Sequence, residues 1–412
     1  MVNRRSITFS LLLVQFFCLS VHGQDKRMVK PVGQLKPSVK VRQPEAQQSL
    51  VPRKTGVVAQ GDHFRRLALA VSVEGKILLT GEQTNSQDGN RNNRAGLAGF
   101  MSEAMRFTAP TVPYTPTRPS YLLDENQAAE VGNSFVVVFT DKGDGMTGNR
   151  RTSLVVIDSS LKVRRGMVSL DGFTGDLAVT PIAGTGRALI VWSPAGNTKK
   201  GALIVVDSTG AQVISPREFT RWSGSLSSVQ AATTDRGTAI VLFTDADGLH
   251  SFEVDSNGNT VREIQPAVNN QFMSEAVPVP LPSGETMIIG NRDGIAQCVI
   301  IGRDDNAADY SSSPKPIRSH QLHNGPVESI QAELLGENEV LVTYFIPHNG
   351  RAVVSVVDAA GKLVRGPREL FGGKITTQAD EYLATTRLRS GGVLVVGYVG
   401  KSNNDQVLFE LY

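Results

Sequence analysis

The sequence predicts an all-β fold assembled from one four-stranded unit repeated around a ring. Three observations carry that expectation. First, one phrase recurs: "SLVVIDSSLKV" from Ser153, "ALIVVDSTGAQV" from Ala202, "SFEVDSNGNTV" from Ser251 and "VVSVVDAAGKLV" from Val353. The aspartates ending these runs, Asp158, Asp207, Asp255 and Asp358, are spaced 49, 48 and 103 residues apart, and the last gap is two periods. Second, each phrase follows, across a turn, another apolar run, as in "SFVVVFT" from Ser134, "AIVLFT" from Ala239 and "EVLVTYF" from Glu339. Third, hardly any stretch shows a 3.6-residue hydrophobic period, whereas short β-branched runs bounded by Gly, Asn and Asp abound.

Each unit reads as four strands in about 50 residues, the signature of a propeller blade. A weak first run ends in a Gly-rich turn ("AVTPIAGTG", "VPLPSG", "TTRLRSGG"). The second is apolar on both faces, as expected where a sheet lies between two neighbouring sheets. The third carries the repeated phrase, and a short extended piece such as "ISPREF" or "RGPREL" makes the fourth. The period places an altered copy near residue 306, where "QCVIIGRDDNAADY" supplies Asp304 and Asp305. A β-sandwich does not explain the period, and strands alternating with helices are absent.

Second strands are counted seven times, near residues 78, 137, 190, 241, 288, 342 and 395. The last unit ends at "QVLFELY" after three strands, which would leave an unpaired edge. "SLVPRKTGVVAQ" (Ser49 to Gln60) is expected to supply the missing outer strand. Over about residues 50–412 the chain thus resembles the seven-bladed β-propeller superfamily. It has no Trp-Asp repeat ending, no paired kelch glycines and no S-x-D-x-G-x-T-W box, so the resemblance implies shape and no particular activity.

The first 23 residues read as a secretory signal peptide: basic Arg4 and Arg5, an uncharged apolar run from Ile7 to Val21, and Gly23 at the expected cleavage position. An uncleaved anchor is the alternative. Gln15-Phe16-Phe17 before Cys18 lacks the small residue of a lipid-modified cysteine. Removing this segment leaves Cys298 alone, so no internal disulfide forms, and its strand-like setting suits a buried, inert thiol. Residues 24–54 carry a net +6 and residues 55–412 a net −5. The stretch 24–48 is read as a basic polar linker and 49–412 as the propeller, with no further membrane span and a monomeric state.

The D-x-x-G stretches have a structural explanation. Asp accepts backbone hydrogen bonds and Gly takes the left-handed conformation that closes the turn. Asp158-Ser159-Ser160-Leu161 lacks the Gly, so its turn is expected to differ. Copies one blade apart cannot converge on a substrate. Weak calcium candidates are Asp141 and Asp144 in "DKGDG", and Asp245 and Asp247 in "DADG" with Glu253 downstream. His320-x-x-His323 could hold zinc but has no carboxylate or cysteine beside it. "GTGRAL" at Gly184 lacks the ending of a phosphate loop. The sequence implies no cofactor.

The candidate binding residues lie between the second and third strands of successive units. Arg91 and Arg94, Arg150 and Arg151, Lys199 and Lys200, Arg292 and Arg351, with Lys401, accompany Asn/Gly turn residues there. Such loops share one face of a propeller, where they would meet an acidic protein partner or an anionic glycan. Nucleic acid is excluded because the body is acidic and aromatics are only 6% of residues. Scarce tryptophan (Trp192 and Trp222) also disfavours a lectin that stacks sugars. The expected function is therefore a secreted binding module. The alternatives are a carbohydrate-active hydrolase or lyase with acids at the central channel, and a calcium-stabilised adhesion propeller.

Overall fold

The structure, a computed structural model, describes residues 49–60, 63–84, 94–102, 104–114, 123–141, 151–170, 173–194, 201–219, 228–245, 248–264, 273–292, 294–301, 318–373, 383–399 and 406–412. Residues 1–48, which the sequence reading assigns to a signal peptide and linker, lie outside these residues, as do Trp222, Asp304 and Asp305. Strand β1 (Lys54–Gln60) precedes six blades that are each continuous in sequence. Blade 1 is β2 (His63–Val71), β3 (Ile77–Thr84), β4 (Arg94–Met101) and β5 (Phe107–Tyr114). Blade 2 is β6 (Leu123–Val131), β7 (Ser134–Asp141), β8 (Arg151–Asp158) and β9 (Val163–Leu170). Blade 3 is β10 (Phe173–Ile182), β11 (Arg187–Pro194), β12 (Gly201–Asp207) and β13 (Arg217–Phe219). Blade 4 is β14 (Ser228–Thr233), β15 (Thr238–Asp245), β16 (Gly248–Asp255) and β17 (Thr260–Ile264). Blade 5 is β18 (Ser274–Pro280), β19 (Thr286–Arg292), β20 (Ile295–Ile301) and β21 (Arg318–His323). Blade 6 is β22 (Glu328–Leu334), β23 (Glu339–Ile346), β24 (Arg351–Asp358) and β25 (Leu363–Glu369). Blade 7 joins β26 (Leu383–Arg387), β27 (Val393–Val399) and β28 (Gln406–Leu411) to β1.

The protein is thus a seven-bladed β-propeller of four-stranded antiparallel sheets. In blade 7, β1 runs antiparallel to β28 from Lys54↔Leu411 to Gln60↔Gln406, so the outer strand comes from the other end of the chain. Innermost strands neighbour one another in an unbroken circle: β2, β6, β10, β14, β18, β22, β26 and back to β2.

Blade-to-blade packing explains the apolar second strands. Phe135 to Phe139 in β7 are all fully buried. Alternate residues serve opposite neighbours: Phe135, Val137 and Phe139 pack with Ala70, Leu78 and Ala98 of blade 1. Val136 and Val138 pack with Ile190, Trp192 and Ile204 of blade 3. Each such side chain contributes about 1.5–3 kcal/mol, and a polar residue on a second strand is held by a partner, as Thr80 is by Asn126. The seven hydrophobic clusters coincide with the seven blade interfaces. The interface between blades 7 and 1 is built like the rest: Val58, Leu394 and Phe409 meet Leu67, Leu79 and Leu97. Trp192 is therefore a core residue, as is the free thiol of Cys298, which burial pushes up to about 12.

Candidate functional site: the loop face of the ring

In each blade the turns joining strands one to two and three to four emerge on one face. The loops joining strands two to three, and the connections between blades, emerge on the other. The first face is spent on structure. Asp207 Oδ1 accepts from Thr209 N, Thr209 Oγ1 and Ala211 N at 2.7–3.0 Å. Asp255 and Asp358 hold their turns through the same two backbone positions. At Asp158 burial alone would raise the pKa. Bonds from Ser160, Lys162 and Arg164 outweigh it and hold the carboxyl well below the usual range.

One sequence expectation is corrected here. The Asp158 turn does not differ: Leu161 takes the glycine's place with φ 63° and donates from N to Asp158 O at 3.0 Å, as Gly258 and Gly361 do to their own aspartates. A left-handed leucine costs about 1–2 kcal/mol, and packing of its side chain between blades 1 and 2 offsets that cost. The turns also lock adjacent blades. Lys76 Nζ donates to Ser159 O, and Arg187 Nη1 donates to Ser256 O and Asn257 Oδ1 of the next blade. Gly361 holds φ 84°, which favours glycine, and a Cβ there would crowd Cys298 Cβ at 3.1 Å.

The same end of the channel carries two acid–base pairs. Glu130 on β6 lies 3.9 Å from Arg389 of blade 7. Burial raises its pKa, and Arg389 partly opposes that. Glu333 on β22 is pushed up to about 7 by burial, against the pull of Arg387 at the end of β26.

The loop face is built differently. The innermost strands are irregular where they begin, with register breaks between Arg65 and Ala68, Leu123 and Glu125, Phe173 and Leu177, Ser274 and Val277, and Glu328 and Gln331. Arg66 and Ser329 there hold φ of 51° and 54°. Such bulges re-aim side chains and gather near functional sites. Polar groups of second strands fasten these starts to the next blade. Asn126 joins Thr80 Oγ1 at 2.8 Å and Arg66 O at 3.0 Å, and Asn291 binds both N and O of Val327. Arg66 lies 4.0 Å from the fully buried Glu82.

Four of the candidate cations stand on this rim. Arg94 opens β4, Arg151 opens β8, Arg292 closes β19 and Arg351 opens β24. Arg351 is paired with Glu369 of the adjacent strand, so its charge is already matched. Arg91, Arg150, Lys199, Lys200 and Lys401 lie outside the described residues, as do the side chains of Arg94 and Arg151. Of the calcium candidates, Asp141 closes β7 and Asp245 closes β15. Their side chains, Asp144 and Asp247 are outside the described residues. Glu253 is committed elsewhere, accepting from Thr238 and lying 3.6 Å from Arg262. No group of three or more His, Cys, Asp or Glu suited to a metal occurs among the described residues. No helix among them is long and apolar enough to cross a membrane. His320 and His323 make no ring contact with each other; His323 lies instead beside His348 and Tyr344 of blade 6. Sequence reasoning missed His348 because its partner comes from another blade.

No protein-family model and no curated protein sequence matches the chain. Among solved structures, a Dyadobacter fermentans protein of unknown function is similar at 13% identity and TM-score 0.53, over 88% of this chain and 99% of that one. A streptogramin B lyase structure aligns at 9% identity and TM-score 0.47, over 86% and 98%. A neuraminidase-like protein from A/bat/Guatemala/164/2009 aligns at 10% and 0.47, over 89% and 96%. The likeness to the first is one of fold alone.

Proposed function

We propose that the protein is an exported, monomeric binding module whose contact surface is the loop face, and that it recognises an anionic glycan or an acidic protein surface. The observation that carries this reading is topological. Candidate cations of blades 1, 2, 5 and 6 stand where the second strand gives way to the third, and Lys199 and Lys200 immediately precede β12 of blade 3. Cations repeated around one rim attract an anion and make the association salt-sensitive. The aspartates of the opposite face, by contrast, are consumed by their own turns. The test is retention on a sulfated-glycan column. Reversing Arg150, Arg151, Lys199 and Lys200 to Glu is expected to abolish retention at about 0.15 M salt. Unchanged retention sinks the proposal.

A second reading, a carbohydrate-active hydrolase or lyase, draws on Glu333, a carboxyl held near neutrality on an innermost strand. It predicts glycan turnover that Glu333→Gln removes, and no turnover by the unaltered protein would discard it.

A further inference from the structure

Asn-Gly occurs three times in the chain, at Asn257-Gly258, Asn324-Gly325 and Asn349-Gly350. Asparagine is thermolabile, and before a glycine the next backbone nitrogen can reach its amide carbon because no Cβ stands in the way. What already holds these two groups differs among the three copies. Gly258 N donates to Asp255 O at 3.0 Å, and Asn257 Oδ1 accepts from Arg187 Nη1 at 2.9 Å. Gly350 N donates to Ile346 O at 3.0 Å. Gly325 N and the side-chain amide of Asn324 make no hydrogen bond with the described residues. Asn324 is exposed in the bend between β21 and β22, on the loop face. The bend is nonetheless held in place. Gly325 O accepts from Ala296 N at 3.1 Å, and Asn291 binds both N and O of Val327 two residues on.

Against this glycine lies the His323 ring. Its Cδ2 and Nε2 are each 3.7 Å from the point where a Cβ of Gly325 would stand. Nε2 is shielded from solvent and makes no hydrogen bond with the described residues. Tyr344 and His348 of blade 6 flank the ring, with centroids 6.1 and 6.3 Å away. Burial disfavours the charged form of His323, and a neutral imidazole keeps one nitrogen free to accept a proton.

We propose that Asn324-Gly325 is a self-modifying site with His323 as its base. Nε2 takes the proton of Gly325 N, and that nitrogen attacks Asn324 Cγ. A C–N bond forms, the Cγ–Nδ2 bond breaks, and Nδ2 leaves as ammonia with the proton that His323 returns. Water then opens the succinimide at either carbonyl, leaving aspartate or isoaspartate. The product sets a new carboxylate on the loop face and is expected to weaken the hold on an anionic ligand. That consequence rests on the proposed function, whereas the modification does not.

The experiment is incubation of the full-length protein at pH 7.5, followed by peptide mass spectrometry, which reads the mass gained when each amide becomes an acid. Asn324 is expected to convert about tenfold faster than Asn257 and Asn349, whose glycine nitrogens must first break a hydrogen bond. His323→Gln should slow conversion at Asn324 by about tenfold or more. Asn257 and Asn349 should keep their own rates in that variant, which also shows that it is folded. His323→Phe, which keeps a ring between Tyr344 and His348, should slow Asn324 equally. The proposal is overturned if Asn324 converts no faster than the other two in the unaltered protein, or if it keeps its rate in either folded variant.

Discussion

Replacing Asp158 with Ala separates a turn-holding aspartate from a functional one. The Asp158 carboxylate accepts from Ser160 N at 2.8 Å, Ser160 Oγ at 2.7 Å, Lys162 N at 2.9 Å and Arg164 Nε at 2.6 Å. Hydrogen bonds to a charged group contribute about 1.5–3 kcal/mol each when buried. The Arg164 side chain is 66% exposed, so its share is small. Allowing for water reaching the freed donors, the net loss is about 2–4 kcal/mol. With an unfolding entropy near 2.1 cal/mol/K per residue over about 360 residues, that loss lowers the melting temperature by about 3–5 °C. The pH dependence supplies a second signature. The folded carboxyl titrates below its unfolded counterpart, whose pKa is about 3.9. Its contribution is therefore present above that pH and fades as the medium is acidified. The gap between the two proteins in thermal melts should be full at pH 7 and shrink below about pH 4. If Asp158→Ala melts with the unaltered protein at pH 7 and instead loses ligand binding, the assignment of these aspartates to the scaffold is wrong.

Two further predictions concern the ring and the channel. Deleting residues 49–60 removes β1 together with the buried Leu50 and Val58. It should lower the melting temperature by more than 10 °C or leave the protein insoluble, because blade 7 loses its outer strand and the edge of β28 is bared; an unchanged melt would refute closure by this segment. Glu333→Gln should flatten a decline in stability between about pH 4.5 and 7. In that window the folded carboxyl keeps a proton that the unfolded one has lost, so stability falls as pH rises, by on the order of 2–3 kcal/mol in all. Equal pH profiles of denaturant unfolding for the two proteins would contradict the raised pKa.

The repeat was legible because blade packing imposes it on every unit: a second strand buried on both faces is apolar over its central run, as in Phe135 to Phe139. The D-x-x-G turns were legible for the same reason, since each must close a hairpin and fit beneath the preceding blade, as Gly361 does against Cys298. Blade 1 was harder to read past its second strand. Its third strand is glycine-bearing "RAGLAGFM", its fourth is broken by Pro110 and Pro113, and Ser102 stands where other blades use Asp, accepting from Arg106 N at 3.2 Å. Leu161 misled because side-chain packing from another blade supports a backbone conformation that its residue type disfavours. On the loop face, the links of Asn126 to Thr80, of Asn291 to Val327 and of His323 to His348 join residues 25–46 positions apart. No local pattern encodes such pairs, since only closing the ring sets their distance. The rim cations were read from composition, yet the partner of Arg351 was invisible until β24 and β25 were aligned.

In the proposed function the two faces divide the work, turns for the scaffold and loops for recognition. Hydrogen–deuterium exchange of the full-length protein, with and without a saturating sulfated glycan, tests it most directly. Slowed exchange is expected in peptides covering residues 85–94, 142–151, 195–201 and 347–351, with no change at 158–162, 207–211, 255–259 and 358–362. Protection of the aspartate turns with the loops unaffected would contradict it.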